Sequence, residues 1–272
     1  MNRSLESQFS LLFNNNTCDE QNKLPAGSYS DEFHFELSGF TENIQCKTQR
    51  YEKADIDLLT SYFANGFDYS LPGKNTRAFF DISFDAFDVF LHAWLSELPI
   101  EQELIKFGKK IIASIQHLGS NDEKHFTAVK LINNRLDTDT RTVLNASAKV
   151  HHEVHRMMGL LRFNPNADNE FTAKCEPDHF ILPAFGKYFT SRFGETSWSI
   201  IDEKRKLCLR RANGKQAKIH ELDESGKDTN GKDEWEELWK HYHCTINNED
   251  RNNPDLQRQL MPKRYWKYLP EV

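Results

Sequence analysis

The sequence predicts an α+β fold, an N-terminal helical region followed by a small antiparallel sheet with packed helices. Helical spacing of apolar residues dominates up to about residue 165. Beyond it, short alternating runs (FTAKCE, SWSIID, LCLRRANG, QAKIHEL) take over. A turn-rich stretch, SLPGKNT (Ser70–Thr76), marks a boundary. Residues 1–76 are therefore read as an N-terminal extension, partly disordered, and 77–272 as the main domain, helical over 77–165 and α+β over 166–272.

The elements follow in order. The Asn/Ser/Gln-rich first 30 residues suit disorder. FHFEL (Phe33–Leu37) alternates like a strand, and DIDLLTSYFANGF reads as a short helix ending at Gly66. After the boundary, AFFDI is expected as a strand. A helix is expected from about Phe84 to Glu97, where Phe84, Phe87, Phe90/Leu91 and Trp94 recur at core spacing. Further helices are expected over Glu101–His117, Glu123–Arg135 and, after Asp137, to about Leu161. FTAKCE is then a strand. PDHFILPAFGKYFTSRFG is expected as one helix with Pro177 near its start. SWSIID and LCLRRANG form a hairpin across EKRK, and QAKIHEL adds a strand. ESGKDTNGKD is a loop, DEWEELWKHYH a helix, and RNNPDLQRQLMPKRYWKYLP a basic, aromatic tail. No internal repeat is visible.

Composition bounds the function. Apolar residues make up 38% and charged residues 28% of 272, and no run approaches the ~20 apolar residues of a membrane span. The first residues lack the sustained apolar segment of a secretory signal. Five widely spaced cysteines with no CxxC pair argue against structural zinc or a disulfide framework. A reduced, cytoplasmic protein with no membrane contact is expected. The net charge of −6 is uneven: Lys187–His220 carries nine basic residues against three acids. Such a block permits a polyanion partner.

The stretch VHHEVHRMMGLLRF (Val150–Phe163) concentrates the candidate chemistry. On a helix, Val143, Val150, Val154, Met157 and Leu161 form a buried stripe, with His151, His155, Gly159 and Arg162 on a neighbouring face. His151 and His155 have the spacing to share a metal, but no third ligand announces itself. His152-Glu153-Val154-His155 is one residue short of HExxH. His151-x-Glu153 matches half of a zinc-deaminase pattern, without its PCxxC partner. No metal ligand is assigned, and no cofactor is implied. Gly159 leaves a notch between His155 and Arg162, and Arg162 offers a fork suited to phosphate. Equally, Arg162 can pair with a nearby carboxylate while Gly159 permits close packing.

In EPDHFILP (Glu176–Pro183), Asp178 and His179 would sit at a helix start, where free N–H groups favour an anion or acid/base chemistry. Asp178 is also explained as an ordinary helix-start residue. Asp178 with Asp202-Glu203-Lys204 loosely matches a nuclease pattern of two acids and a lysine, interrupted by a whole helix. Finally, RQLMPKRYWKY (Arg258–Tyr268) interleaves basic residues with Tyr265, Trp266 and Tyr268, as nucleic-acid surfaces do. The alternative is a segment that docks its aromatics and keeps its lysines wet.

HRMMGLLRF, EPDHFILPAFGKYFTSRF, WSIID with Arg205, and NPDLQRQLMPKRYWKYLPE, in that order, resemble a bacterial family of uncharacterised proteins linked to DNA repair and DNA metabolism, a domain of unknown function. FFDISFDAFDVFLHAWL resembles its opening, so the likeness covers Phe79 to Glu271. The resemblance implies a radical S-adenosylmethionine (SAM) protein as partner, and in some members a joined uracil-DNA glycosylase-like domain. By motif it implicates His155, Arg156, Gly159, Arg162 and Phe163; Pro177, Asp178, His179 and Pro183; Arg192, Trp198, Asp202 and Arg205; and Pro262, Arg264, Tyr265 and Trp266. Tyr188 stands where the family often has a histidine, and about 75 N-terminal residues match nothing in it.

The expectation is a DNA-binding protein of DNA repair or metabolism that acts beside a radical SAM protein. Arg156, Arg162, Arg192, Arg205, Lys263 and Arg264 would bind phosphate, and His155, Asp178 and His179 would serve any acid/base step. Whether it is an enzyme stays open. The alternatives are a non-catalytic protein–protein adaptor, and a metal-dependent hydrolase or nuclease using the His151, His155, Asp178 and His179 region.

Overall fold

In the computed structural model, the described residues are 5, 53–65, 70, 74–115, 117–166, 170–222, 234–248 and 253–269. The expected disordered start, the strand at 33–37 and the loop at 224–233 lie largely or wholly outside them. From Lys53 onward the described residues give six helices first: α1 (Lys53–Asn65), α2 (Lys74–Ile82), α3 (Phe84–Trp94), α4 (Glu101–Ile115), α5 (Asn121–Ile132) and α6 (Thr138–Leu160). Three open on an N-cap whose side chain accepts a backbone N–H, as helix starts require. Ser83 serves α3, Ser120 serves α5 and Asp137 serves α6.

The second half supplies β1 (Asn164–Pro165), β2 (Phe171–Cys175), a 3₁₀ turn (Leu182–Phe185), α7 (Gly186–Phe193), β3 (Trp198–Asp202), β4 (Leu207–Arg211) and β5 (Lys218–Glu221). Then come α8 (Glu234–Ile246), α9 (Pro254–Leu260) and a 3₁₀ helix, Lys263–Tyr268. The strands lie in sequence order in one sheet. All pairs are antiparallel except β2 with β3. That pair is parallel because the segment between Cys175 and Trp198 crosses over before β3 begins. The mixed α+β architecture and the β3–β4 hairpin agree with the sequence reading. Asp202 Oδ1 closes that hairpin by accepting from the N–H groups of Lys204 (3.0 Å) and Arg205 (3.1 Å).

Two expectations are corrected. AFFDI is the end of helix α2, with Phe79 buried and Phe80 set edge-on to Phe84 and Phe87. A short apolar run cannot distinguish strand from buried helix by itself. Nor is PDHFILPAFGKYFTSRFG one helix: Pro177 to Ile181 is irregular, and helix begins at Leu182. The N–H groups of Asp178 and His179 are bound by a carboxylate from elsewhere in the chain, which removes their need for a helical turn. Of the expected aromatic core, Phe87, Phe90 and Trp94 are buried, while Phe84 is exposed.

The core runs continuously from α1–α6 into the sheet. Phe79, Phe87, Phe90, Trp94 and Phe107 fill the helical half, and Phe180, Phe185, Phe189 and Trp198 fill the space between crossover and sheet. α6 packs along α3 and α4, so its two long faces meet different environments: apolar helices on one side, the crossover on the other.

Asp137 joins two helices. Its carboxylate caps α6 through Thr140 N (3.0 Å) and Thr140 Oγ1 (2.6 Å), and accepts from Lys110 Nζ of α4 at 2.6 Å. The Lys110 bond, then the Thr140 bonds, lower its pKa to about 2. A carboxyl whose pKa is depressed on folding contributes stability above its unfolded pKa of about 3.9 and loses it as pH falls through the folded value. Urea denaturation should therefore find stability declining from about pH 4 to pH 2. Asp137→Asn should flatten that portion of the profile.

Candidate functional site

Glu153 is an acid inside an apolar stripe, flanked on α6 by buried Val150, Val154 and Met157, and it is itself buried. Its carboxylate accepts from Asp178 N at 2.7 Å, His179 N at 2.8 Å and Tyr265 Oη at 2.9 Å. Two segments distant in sequence, 178–179 and the one that holds Tyr265, are thus tied to one side chain. A buried carboxylate is tolerated only with such a set of donors.

A second charged group completes the knot. Arg205 is 1% exposed and uses all five of its N–H bonds. Nε and Nη2 donate to Glu97 Oε1 (3.2 and 3.0 Å), and Nη1 to Asp202 Oδ2 (2.8 Å). The remaining two reach the carbonyls of Pro177 (3.2 Å) and Asp178 (2.9 Å). Lys204 Nζ donates to the same two carbonyls. The Pro177–His179 backbone is therefore held by Glu153 through its N–H groups and by Lys204 and Arg205 through its carbonyls. Tyr265 feels both sides: burial first, then the Glu153 charge, push its phenol up to about 12.

The expected acid/base trio does not assemble. His155 follows Glu153 by two positions, about 200° around the helix, and is exposed, away from the knot. Asp178 and His179 are adjacent there, and every contact they make is a structural one. Asp178 pairs with Arg264 Nη2 at 2.6 Å. His179 Nδ1 accepts from Glu97 N at 3.2 Å, and burial lowers its pKa, so the ring is neutral at pH 7. The nuclease pattern fails too, because Asp202 serves Arg205 and the hairpin turn.

The expected phosphate-binding residues also separate. Arg205 is corrected outright: its donors are consumed internally. Arg162 Nη1 donates to the Gly159 carbonyl (2.9 Å), and a side chain at Gly159 would meet nothing within 4 Å, so the notch is open and unpacked. Arg156 is half-buried, whereas Arg192 and Lys263 are exposed. Arg264 donates to Tyr265 Oη (2.9 Å) and lies over the Tyr265 ring.

Two arrangements could be found only in three dimensions. On α3, Asp88 and His92 face His151 of α6, with the two imidazoles stacked at 3.8 Å. The second is the outer face of the sheet. Register puts Thr172, Ser199, Arg210 and Lys218 in one cross-strand row, and Lys174, Ile201, Cys208 and His220 in the next. Lys174, Arg210, Lys218 and His220 are exposed there. Glu170 at the end of β2 orients Arg210 through two bonds of 2.9 and 2.7 Å.

The chain belongs to the family DUF4130, described as a domain of unknown function, whose model matches residues 114–271. That span holds α6, the knot's Glu153, Arg205 and Tyr265, and the whole sheet; Asp88, His92 and Glu97 precede it. No curated protein and no solved structure matches the chain.

Removing Glu153 strands two main-chain donors and a phenol. Glu153→Ala should cost about 3–5 kcal/mol, since each stranded buried donor costs about 1–3 kcal/mol. Tyr265→Phe, which deletes one bond to a charged group, should cost about 1.5–3 kcal/mol. Equilibrium denaturation measures both, and equal small losses would mean that the carboxylate is not the anchor.

Proposed function

We propose that the protein is a nucleic-acid-binding component of DNA metabolism, and that the outer face of its sheet is the binding surface. The observation that carries this reading is the exposure of Lys174 and Lys218, with His220, on one face of the sheet, beside Arg210, whose charge Glu170 already pairs. Strands lie about 4.8 Å apart and same-face residues repeat at about 7 Å, a spacing at which several cations can neutralise neighbouring phosphates of one strand. In the same row the Thr172 hydroxyl, half-buried, bonds the buried Ser199 hydroxyl at 2.9 Å and ties β2 to β3 beneath the cations. Arg192 and Lys263 extend the positive surface elsewhere, whereas Arg264 is already engaged by Asp178. Binding, not chemistry, is the activity this arrangement favours, since His155 stands apart from Asp178 and His179.

Binding to single- and double-stranded DNA across a salt series tests the reading. The affinity should fall with a log–log slope of about −0.7 to −0.9 per phosphate neutralised. Charge reversal at Lys174 and Lys218 should weaken binding at least tenfold and reduce the slope. Binding that is absent at low salt, or indifferent to both changes, would overturn it. The partnership with a radical SAM protein is supported by the sequence resemblance alone. It predicts that the tagged chain co-purifies with such a protein in near-stoichiometric amount, and an empty pull-down from cells expressing both would reject it.

One feature favours the adaptor as a second reading. Leu238, Tyr242 and Ile246 repeat along one face of α8 and are more than half exposed, beside Trp239, a stripe that suits a protein partner.

A further inference from the structure

We propose that Asp88, His92 and His151 form a binding site for a first-row divalent metal ion, zinc being the foremost candidate. One donor atom from each residue lies within 4.8 Å of the others. Asp88 and His92 are four apart on α3, which stacks them on one helix face. His151 comes from the facing helix α6. Two imidazoles and one carboxylate are a donor set that borderline metals such as zinc accept, with positions left over for water or substrate. The motif on α6 does hold a ligand, then, but its companions come from α3 and not from His155.

The surroundings are those of a metal centre. His92 is buried, and its Nδ1 donates to the Asp88 carbonyl at 2.9 Å, with the Asp88 carboxylate at 3.3 Å. The 3.3 Å separation from the carboxylate already matches two donors held by one ion, so a bound metal would take the place of the Nδ1 proton. Tyr62 Oη donates to Asp88 Oδ1 at 2.9 Å and fixes the carboxylate in turn. Phe63 packs edge-on against His92 and restricts the ring. Ligand bonds of about 2.0–2.2 Å require donors about 3–3.5 Å apart, closer than the outer limit of the cluster. To ligate, the His151 ring must turn out of its stack on His92 so that its in-plane lone pair meets the ion, a rotation that its exposed position permits.

Titration of the chelator-treated full-length protein with Zn²⁺ by calorimetry, and with Co²⁺ by visible absorption, tests the site. One equivalent of either ion should bind, and Co²⁺ should develop ligand-field bands. His151→Ala, at an exposed position, should leave the fold and the metal-free melting temperature intact and weaken binding at least 100-fold. Asp88→Asn should do the same to binding. Tyr62→Phe, which removes only the outer hydrogen bond, should weaken it about tenfold. His152→Ala and His155→Ala should leave it unchanged. Zn²⁺ should also raise the melting temperature of the wild type and not of His151→Ala. Absence of stoichiometric binding, or binding that survives His151→Ala and is lost with His155→Ala, would overturn the proposal.

Discussion

The structure depends on one buried carboxylate. Glu153 takes two main-chain N–H groups from the crossover and a hydroxyl from the C-terminal 3₁₀ helix. Each alone is an ordinary hydrogen bond; together they let a charge stay in the core. Without them, α6 would have to turn this face to water, and its apolar stripe would turn with it. The parallel placement of β2 beside β3 is linked to the same contact, because the segment that makes the crossover possible is held by Glu153 on one side and by Lys204 and Arg205 on the other.

That division of labour explains why motif residues and site residues part company. Arg205, Asp178, His179 and Tyr265 stand out in the sequence as polar groups near apolar runs, and such groups are as useful for closing a polar core as for chemistry. Their geometry favours closure. The two proposed binding sites lie elsewhere, on the outer sheet face and between α3 and α6, and draw on none of these residues.

Much of the fold was legible. Helices α3 to α6 follow from period and caps, and the β3–β4 hairpin follows from alternation across EKRK. AFFDI misleads because five apolar-rich residues carry too little periodicity, and the packing of Phe79 and Phe80 against α3 decides the matter. Pro177 misleads because its helix-start signal is overridden by an acceptor 25 residues upstream. The site was harder to read. Glu153 does leave a trace, an acid set between Val150, Val154 and Met157 where the stripe calls for an apolar residue. The pairing of Asp88 and His92 with His151, and the gathering of Lys174, Arg210 and Lys218, depend on helix packing and strand register, and neither has a signature in spacing.

The long reach of the Glu153 contact also bears on how the chain is made. Tyr265 follows Glu153 by 112 residues, and translation at about 5–20 residues per second separates them by roughly 6–22 s. Throughout that interval the nascent helix carries an acid whose phenolic partner does not yet exist, flanked by valines and a methionine that cannot be sealed. The emerging chain must wait with a sticky, half-wet helix at the ribosome exit. Until the Lys263–Tyr268 segment docks, this face of α6 is an exposed apolar stripe with an unmet acid, the kind of transient surface that invites aggregation.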